Sequence, residues 1–190
     1  MAEQPAFYYD LGSPSCYLAA EQALTLLPAV PEWIPVLASD LGAVELDVDR
    51  DSVERQAGQL GLQPLCWPDR WPSDTRQAML AATYAKRIGR AVAFSLAAFR
   101  QAFAGGRDLS QDDTVLIAGA ACEMHPSAIL KALTLSSIGQ ALEQATAAAG
   151  RRGVSALPAI VSDGDLFQGP DAPRLAAQAG AATQAGAATV

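Results

Sequence analysis

The sequence predicts an α/β fold interrupted by a large all-helical insertion, and three observations carry that prediction. An aromatic strand signal at Phe7 to Asp10 runs directly into a capped apolar helix. Residues 46–151 then read as one helical pattern after another. Finally, the chain returns to β-branched strand character at Gly153 to Ser162, closed by the turn pair Asp163-Gly164.

Phe7 to Asp10 ends at Leu11-Gly12, the composition of a short buried strand closed by a breaker. Ser13 is a good helix cap, Pro14 fits the first helical position, and Cys16 to Leu27 is apolar with few interruptions. Cys16 then stands at the third helical position, whose backbone N–H is the usual donor to a capping hydroxyl. Ser13 and Cys16 are therefore expected as neighbours at the positive end of a helix dipole. An anion placed there meets N–H groups, a hydroxyl and a favourable dipole together. A thiolate suits such a site, since helix N-termini lower a thiol pKa from about 8.5 to about 3.5–7.5. The plainer alternative is a structural cap worth about 1 kcal/mol beside a small buried cysteine.

Pro28 to Pro31 breaks the chain, and Glu32 to Ala38 reads as a second strand whose Pro35 suggests an edge, completing a βαβ unit. Val48 to Leu60 is amphipathic, with Asp47, Asp49, Asp51 and Glu54 complementing its dipole and Gly61 as its stop. Pro64 to Pro72 is irregular and rich in Pro and Trp; Trp67 and Trp71 read as core packing or as flat walls of a ligand pocket. Ser73-Asp74-Thr75 caps a helix over Arg76 to Arg87, and Gly89 is a weak interruption before a continuation to Phe103. Ser110 caps a helix through Cys122, and further helices cover Ser127 to Leu133 and Ile138 to Arg151. The helical insertion domain, 46–151, is long enough for its own small core, while 1–45 and 152–180 form a discontinuous α/β domain. After the hairpin to Asp165–Gly169, a last helix is expected from Asp171 to Ala179, and the small-residue tail 181–190 is expected to be disordered.

At 190 residues and 51% hydrophobic, the chain is long enough for one ordinary domain carrying an insertion. A net charge of −7 argues against nucleic acid and anionic membrane as partners. The N-terminus, Met1-Ala2-Glu3-Gln4-Pro5, lacks a basic segment followed by an apolar core, which gives a cytoplasmic expectation. No apolar run is long enough to cross a bilayer. Cys16, Cys66 and Cys122 are odd in number without C-x-x-C spacing, so neither a disulfide framework nor a zinc site follows. The single His125 reads as an exposed loop residue and assembles no metal site.

A strand, a helix and a strand, then a helical insertion, then a hairpin preceded by Leu157-Pro158 and a final helix, is the element order of a thioredoxin-like fold. The chain resembles the DsbA-like thioredoxin superfamily, and within it the kappa-class glutathione transferases and 2-hydroxychromene-2-carboxylate isomerases. The resemblance rests on Phe7 to Leu18; on Gln59 to Leu62 with Trp71 to Thr75; on Ala98 to Arg100; on Gly106 to Ser110; and on Gly153 to Val161 with Asp165 to Asp171. It implies that Ser13 hydrogen-bonds the sulfur of glutathione, or of another low-molecular-weight thiol, and keeps it as thiolate. It also implies that Pro158 is cis, that the backbone of Leu157 pairs with the cysteinyl part of the cofactor, and that Asp171 helps hold its glutamyl end. Asp74 stands where the isomerase-like members tend to have Asn. The chain departs from the family pattern at Pro170 and Ala172, where a small polar residue and an Arg are usual, and Cys16 takes the place of the second cysteine of the redox-active C-x-x-C.

Two enzyme readings follow, differing in where the sulfur comes from. In one, a bound thiol cofactor reacts with a small electrophilic or conjugated substrate held between the Trp-rich loop and the helical domain, giving isomerisation or transfer. In the other, Cys16 is the reacting thiol of a one-cysteine thiol–disulfide oxidoreductase. A third reading is a non-catalytic thioredoxin-fold module binding peptides or apolar ligands at the cis-proline groove. Homodimerisation is an expectation carried by the family alone.

Overall fold

Strand β1 (Ala6–Tyr9) is buried along its whole length and lies inside a four-stranded sheet of order β2-β1-β3-β4. The computed structural model describes residues 4–27 and 29–187; the leader reading at Met1 to Glu3, the break at Pro28 and the tail residues 188–190 lie outside the described residues. Helix α1 (Pro14–Leu26) crosses over to β2 (Glu32–Pro35), which pairs parallel to β1 with Phe7 opposite Trp33. On the other side of β1, strand β3 (Ala159–Ser162) adds antiparallel with Phe7 opposite Ile160, and a hairpin leads to β4 (Asp165–Gln168). Asp163 and Gly164 adopt φ of 51° and 90°, the left-handed pair that a two-residue hairpin turn requires.

Strand β2 is an edge strand, as Pro35 suggests, but it stops there and not at Ala38. The backbone N–H of Leu37 donates to Thr146 Oγ1 at 3.0 Å and that of Ala38 to Asp10 Oδ2 at 2.9 Å, so the chain leaves the sheet and turns into the short helix α2 (Ala38–Leu41).

The helical segment differs from its expected boundaries for local reasons. Helix α3 (Arg50–Gln59) begins after Asp49, whose carboxylate accepts from Ser52 N at 3.1 Å. Helices α4 (Arg76–Arg87) and α5 (Ala91–Phe103) are separate, divided at Gly89 by a φ of +74° that glycine adopts without strain. Ser110 does not cap α6 (Asp112–Ala120): its N–H is held by Asp108 Oδ1 at 2.8 Å, and Gln111 takes the cap position. The exposed His125 caps α7 (Pro126–Leu133), its Nδ1 accepting from Ser127 N at 3.3 Å, and α8 (Ser136–Arg151) follows. Helix α9 (Ala172–Ala187) runs on through 180–187, which composition assigned to a disordered tail. Alanine has the highest helix propensity, and Gly180 and Gly186 cost only about 1 kcal/mol each against it.

The helical segment does not have a core of its own. One continuous cluster of buried apolar residues joins the sheet to the helices. Phe7 and Tyr9, on one face of β1, meet Trp33 edge-on with ring centroids 4.9 and 5.6 Å away. Tyr9 reaches Phe99 of α5 at 5.9 Å, and its hydroxyl bonds Ser95 Oγ at 2.6 Å. Tyr17 of α1 stacks on Phe103 at 5.6 Å. Each such buried ring contributes about 1.5–3 kcal/mol. At the rim, Arg100 grips Glu21 with two bonds of 2.7 and 2.8 Å, tying α5 to α1. Among the described residues, no helix is long and apolar enough to cross a membrane.

Candidate active site

The turn between β1 and α1 is built on Asp10. Its Oδ1 accepts from Gly12 N at 2.9 Å and from Thr75 Oγ1 at 2.8 Å, and its Oδ2 accepts from Ala38 N. Burial pushes its carboxyl above the ordinary range, with these three donors working in the opposite direction. Thr75 occupies the N-cap position of α4 without a side-chain bond to that helix, because its hydroxyl is committed to Asp10. Gly12 has no room for a side chain: a Cβ there would lie 2.7 Å from Thr75 Cγ2.

Ser13 caps α1 as expected, its Oγ accepting from Cys16 N at 2.9 Å. The same oxygen donates its proton to Glu45 Oε2 at 3.0 Å. Both side chains line a cleft of about 170 Å³, whose other walls include Asp10, Ala38, Pro72 and Asp74. Glu45 was not singled out in the sequence. The αL glycine Gly42, φ 65°, closes α2 and turns the chain before Glu45, and nothing in the local run Glu45 to Asp49 distinguishes this acid from the helix-start acids that follow it.

Cys16 does not present its sulfur to the cleft. Its side chain is 0% exposed, and burial pushes the thiol far above its ordinary pKa, the opposite of the lowering that a helix N-terminus provides to an exposed sulfur. Capping by Ser13 works downward and the nearby Glu45 charge upward, both smaller effects than burial. Cys66 is exposed, Cys122 is buried, and all three cysteines are free.

The Leu157–Pro158 bond is cis, as the resemblance implies, and Pro158 O accepts from Gly169 N at 2.8 Å. Both residues are buried at the start of β3. Asp171 is exposed just before α9 and is paired with Arg174 at 3.2 Å. It borders a concavity shared with Gln56 and Pro170 and does not line the cleft at Ser13. Between the two lies a groove of about 330 Å³ bordered by Ser15, Glu45 and Pro170, so Glu45 belongs to both the cleft and the groove. Ala172, the second departure from the family pattern, is fully buried in α9.

Asp74 lines the cleft and accepts from Arg76 N at 2.9 Å. Of the Trp-rich loop it is Pro72, after a cis Trp71–Pro72 bond, that reaches the cleft wall. Trp71 touches the site from outside by donating to Gly12 O at 3.1 Å. Trp67 packs edge-on against Trp71 and Phe103, donates to Glu54 at 2.9 Å, and carries the Arg50 guanidinium 4.6 Å above its ring. The indoles serve packing, and neither lines the cleft. Among the described residues, no group of three or more His, Cys, Asp or Glu is arranged to hold a metal ion.

The sequence model of the DSBA-like thioredoxin domain matches residues 6–181. No curated protein matches the chain significantly. Among solved structures, a 2-hydroxychromene-2-carboxylate isomerase superposes with a TM-score of 0.84 at 19% identity, covering 99% of this chain and 100% of the other. A probable DsbA oxidoreductase from Streptomyces coelicolor gives 0.77 at 18% identity, covering 94% and 88%. The cytosolic disulfide reductase DsbM from Pseudomonas aeruginosa, solved with GSH, gives 0.69 at 15% identity, covering 96% and 98%.

Proposed function

The chain belongs to the DSBA-like thioredoxin family, and from that premise we propose that it is a thiol-dependent isomerase or transferase acting on a small electrophilic or conjugated organic molecule. One observation carries this reading. Ser13 lines the cleft at the helix start, whereas the chain's own nearby sulfur, Cys16, is sealed beneath it. A reacting sulfur at this helix start is then brought by a second molecule, a low-molecular-weight thiol such as glutathione.

The thiol end fits the residues present: a hydroxyl oxygen at the positive end of a helix, above a buried core. When bound, such a cofactor supplies a nucleophilic sulfur. Ser13 would hold that sulfur as an anion through its O–H. The helix dipole of α1 adds to that stabilisation, worth about 0.3–1 kcal/mol for an exposed charge. The hydroxyl donates to Glu45, and would have to turn from that carboxylate to hold a sulfur anion. Leu157 and Pro158 would hold the cysteinyl backbone and Asp171 an amino end, the roles the family resemblance assigns them. The solved isomerase and the disulfide reductase bound to GSH support the reaction and the cofactor class respectively. The latter, a cytosolic protein, also supports a cytoplasmic setting.

Calorimetric titration of the reduced protein with low-molecular-weight thiols, on parent and Ser13→Ala, tests the reading. Saturable binding that weakens in the variant is expected. Equal binding by both proteins removes the role of Ser13, and no heat with any thiol removes the reading.

A further inference from the structure

The carboxylates around Ser13 set the charge of the thiol that the site accepts. In the free protein the hydroxyl that would donate to a sulfur anion donates to Glu45 Oε2 at 3.0 Å. Ser13 is itself 4% exposed, so this hydroxyl faces the cleft and little else. The sulfur anion of any thiol competes with Glu45 for this one O–H, so thiols are told apart by the charge they carry elsewhere.

The surroundings add to that charge and do not offset it. Besides Glu45, the cleft walls carry the exposed Asp74; Asp10 also lines them, but its carboxyl is buried and taken up by three donors. The walls' one cation, Arg76, is turned to Glu143, with its Nη2 3.2 Å from Oε1. The adjoining groove, which shares Glu45, is bordered by Asp47 and Asp49 and by no Lys or Arg among its described lining residues. Farther along, Arg174 is paired with Asp171. Arg50 lies over the Trp67 ring. Among the described residues that line the cleft and the groove, a thiol bearing free carboxylates meets no Lys or Arg other than Arg76, while one bearing amides, sugars or an amine meets acceptors in Glu45, Asp74, Asp47 and Asp49.

We infer that the thiol cofactor of this protein carries no net negative charge, and that Glu45 is the residue that selects against anionic thiols. This rests on the thiol-dependent reading above. It concerns a different property, the charge of the ligand: it leaves the reaction unchanged and narrows the cofactor class, placing glutathione, net negative through its two carboxylates, behind neutral thiols. A charge-matched neutral or cationic thiol keeps the Ser13 exchange while removing the repulsion between its own carboxylates and Glu45, Asp74 and Asp47. Screened by water and salt, such like-charge contacts together amount to about tenfold in affinity.

The test is calorimetric titration of the full-length reduced protein with two matched pairs of probes: glutathione against its diethyl ester, and N-acetylcysteine against N-acetylcysteine amide. The parent is expected to bind the esterified or amidated member of each pair about tenfold more tightly. Glu45→Gln is expected to narrow both gaps to about threefold or less, chiefly by improving the anionic member, and added salt should narrow them in the parent. Asp74→Asn gives an independent removal of charge on an exposed side chain of the cleft wall, so that a folding defect in one variant does not decide the outcome. Equal affinities within both pairs for the parent, with binding still lost in Ser13→Ala, overturn the charge inference and leave the thiol-dependent reading standing. No binding of any probe overturns both.

Discussion

The hydroxyl of Thr75 donates to Asp10 Oδ1 at 2.8 Å, joining the end of β1 to the first turn of α4 beneath the cleft. The bond gives up a helix cap in order to satisfy a buried carboxylate, and it fixes the wall that carries Asp74 against the wall that carries Ser13.

Thr75→Val keeps the shape and removes the donor. A loss of about 1–2 kcal/mol in stability is expected, because Asp10 is left with fewer donors in a buried place. The pH dependence has a definite sign. Burial raises the folded pKa of Asp10, so its contribution is fully present below the ordinary carboxylate pKa and is lost as pH rises through the raised value. Removing a donor that favours the ionised form raises that value further, so the penalty of Thr75→Val is larger at about pH 8 than at about pH 4. Urea denaturation of both proteins at the two pH values measures it, and a penalty that shrinks toward neutral pH would contradict the role given to this bond.

Cys16 is predicted to be silent in the intact protein. An aromatic disulfide reagent should modify Cys66 rapidly and leave Cys16 and Cys122 untouched until denaturant is added. Cys16→Ala should then retain thiol-dependent turnover at a stability cost of about 1–2 kcal/mol. Fast labelling of Cys16, or loss of turnover in the alanine variant without unfolding, would favour the one-cysteine oxidoreductase.

Ser13→Cys converts the helix start into a pair of thiols three positions apart. The introduced sulfur would face the cleft, with Cys16 beneath it in the position of a resolving thiol. Mild oxidation is expected to remove two titratable thiols reversibly, and the oxidised form should accept electrons from a dithiol reductant. A thiol count that does not fall on oxidation sinks this expectation.

What was legible in the sequence is what is decided locally. The aromatic run at Phe7 to Tyr9, the Ser13-Pro14 cap, the Asp163-Gly164 turn and Pro35 at a sheet edge each act through their own backbone geometry, and each lies where it was expected. Positions decided by distant partners were misread or left with two readings. Leu37 and Ala38 look like strand, but their N–H groups belong to Thr146 and Asp10. Trp67 and Trp71 read as core packing or as pocket walls, and it is packing and hydrogen bonds to Glu54, Phe103 and Gly12 that engage them. Cys16 reads as a thiol activated by a helix terminus or as a small buried cysteine, and its full burial, the largest effect on its thiol, decides for the second. Glu45 has no local signal at all, since only the return of the loop after Gly42 brings it to Ser13.

The register of the sheet bears on how the chain is made. Ala6 pairs on one side with Glu32, close in sequence, and on the other with Val161, which follows the entire helical layer. During synthesis the first three elements emerge with the inner strand paired along one edge only, its Phe7 and Tyr9 awaiting rings that α5 has yet to supply. Chains dominated by such late, long-range closures fold slowly and expose sticky surface while they wait. A nascent chain of this protein halted before Ala159 should therefore be a client for holding chaperones, and released full-length chains should not.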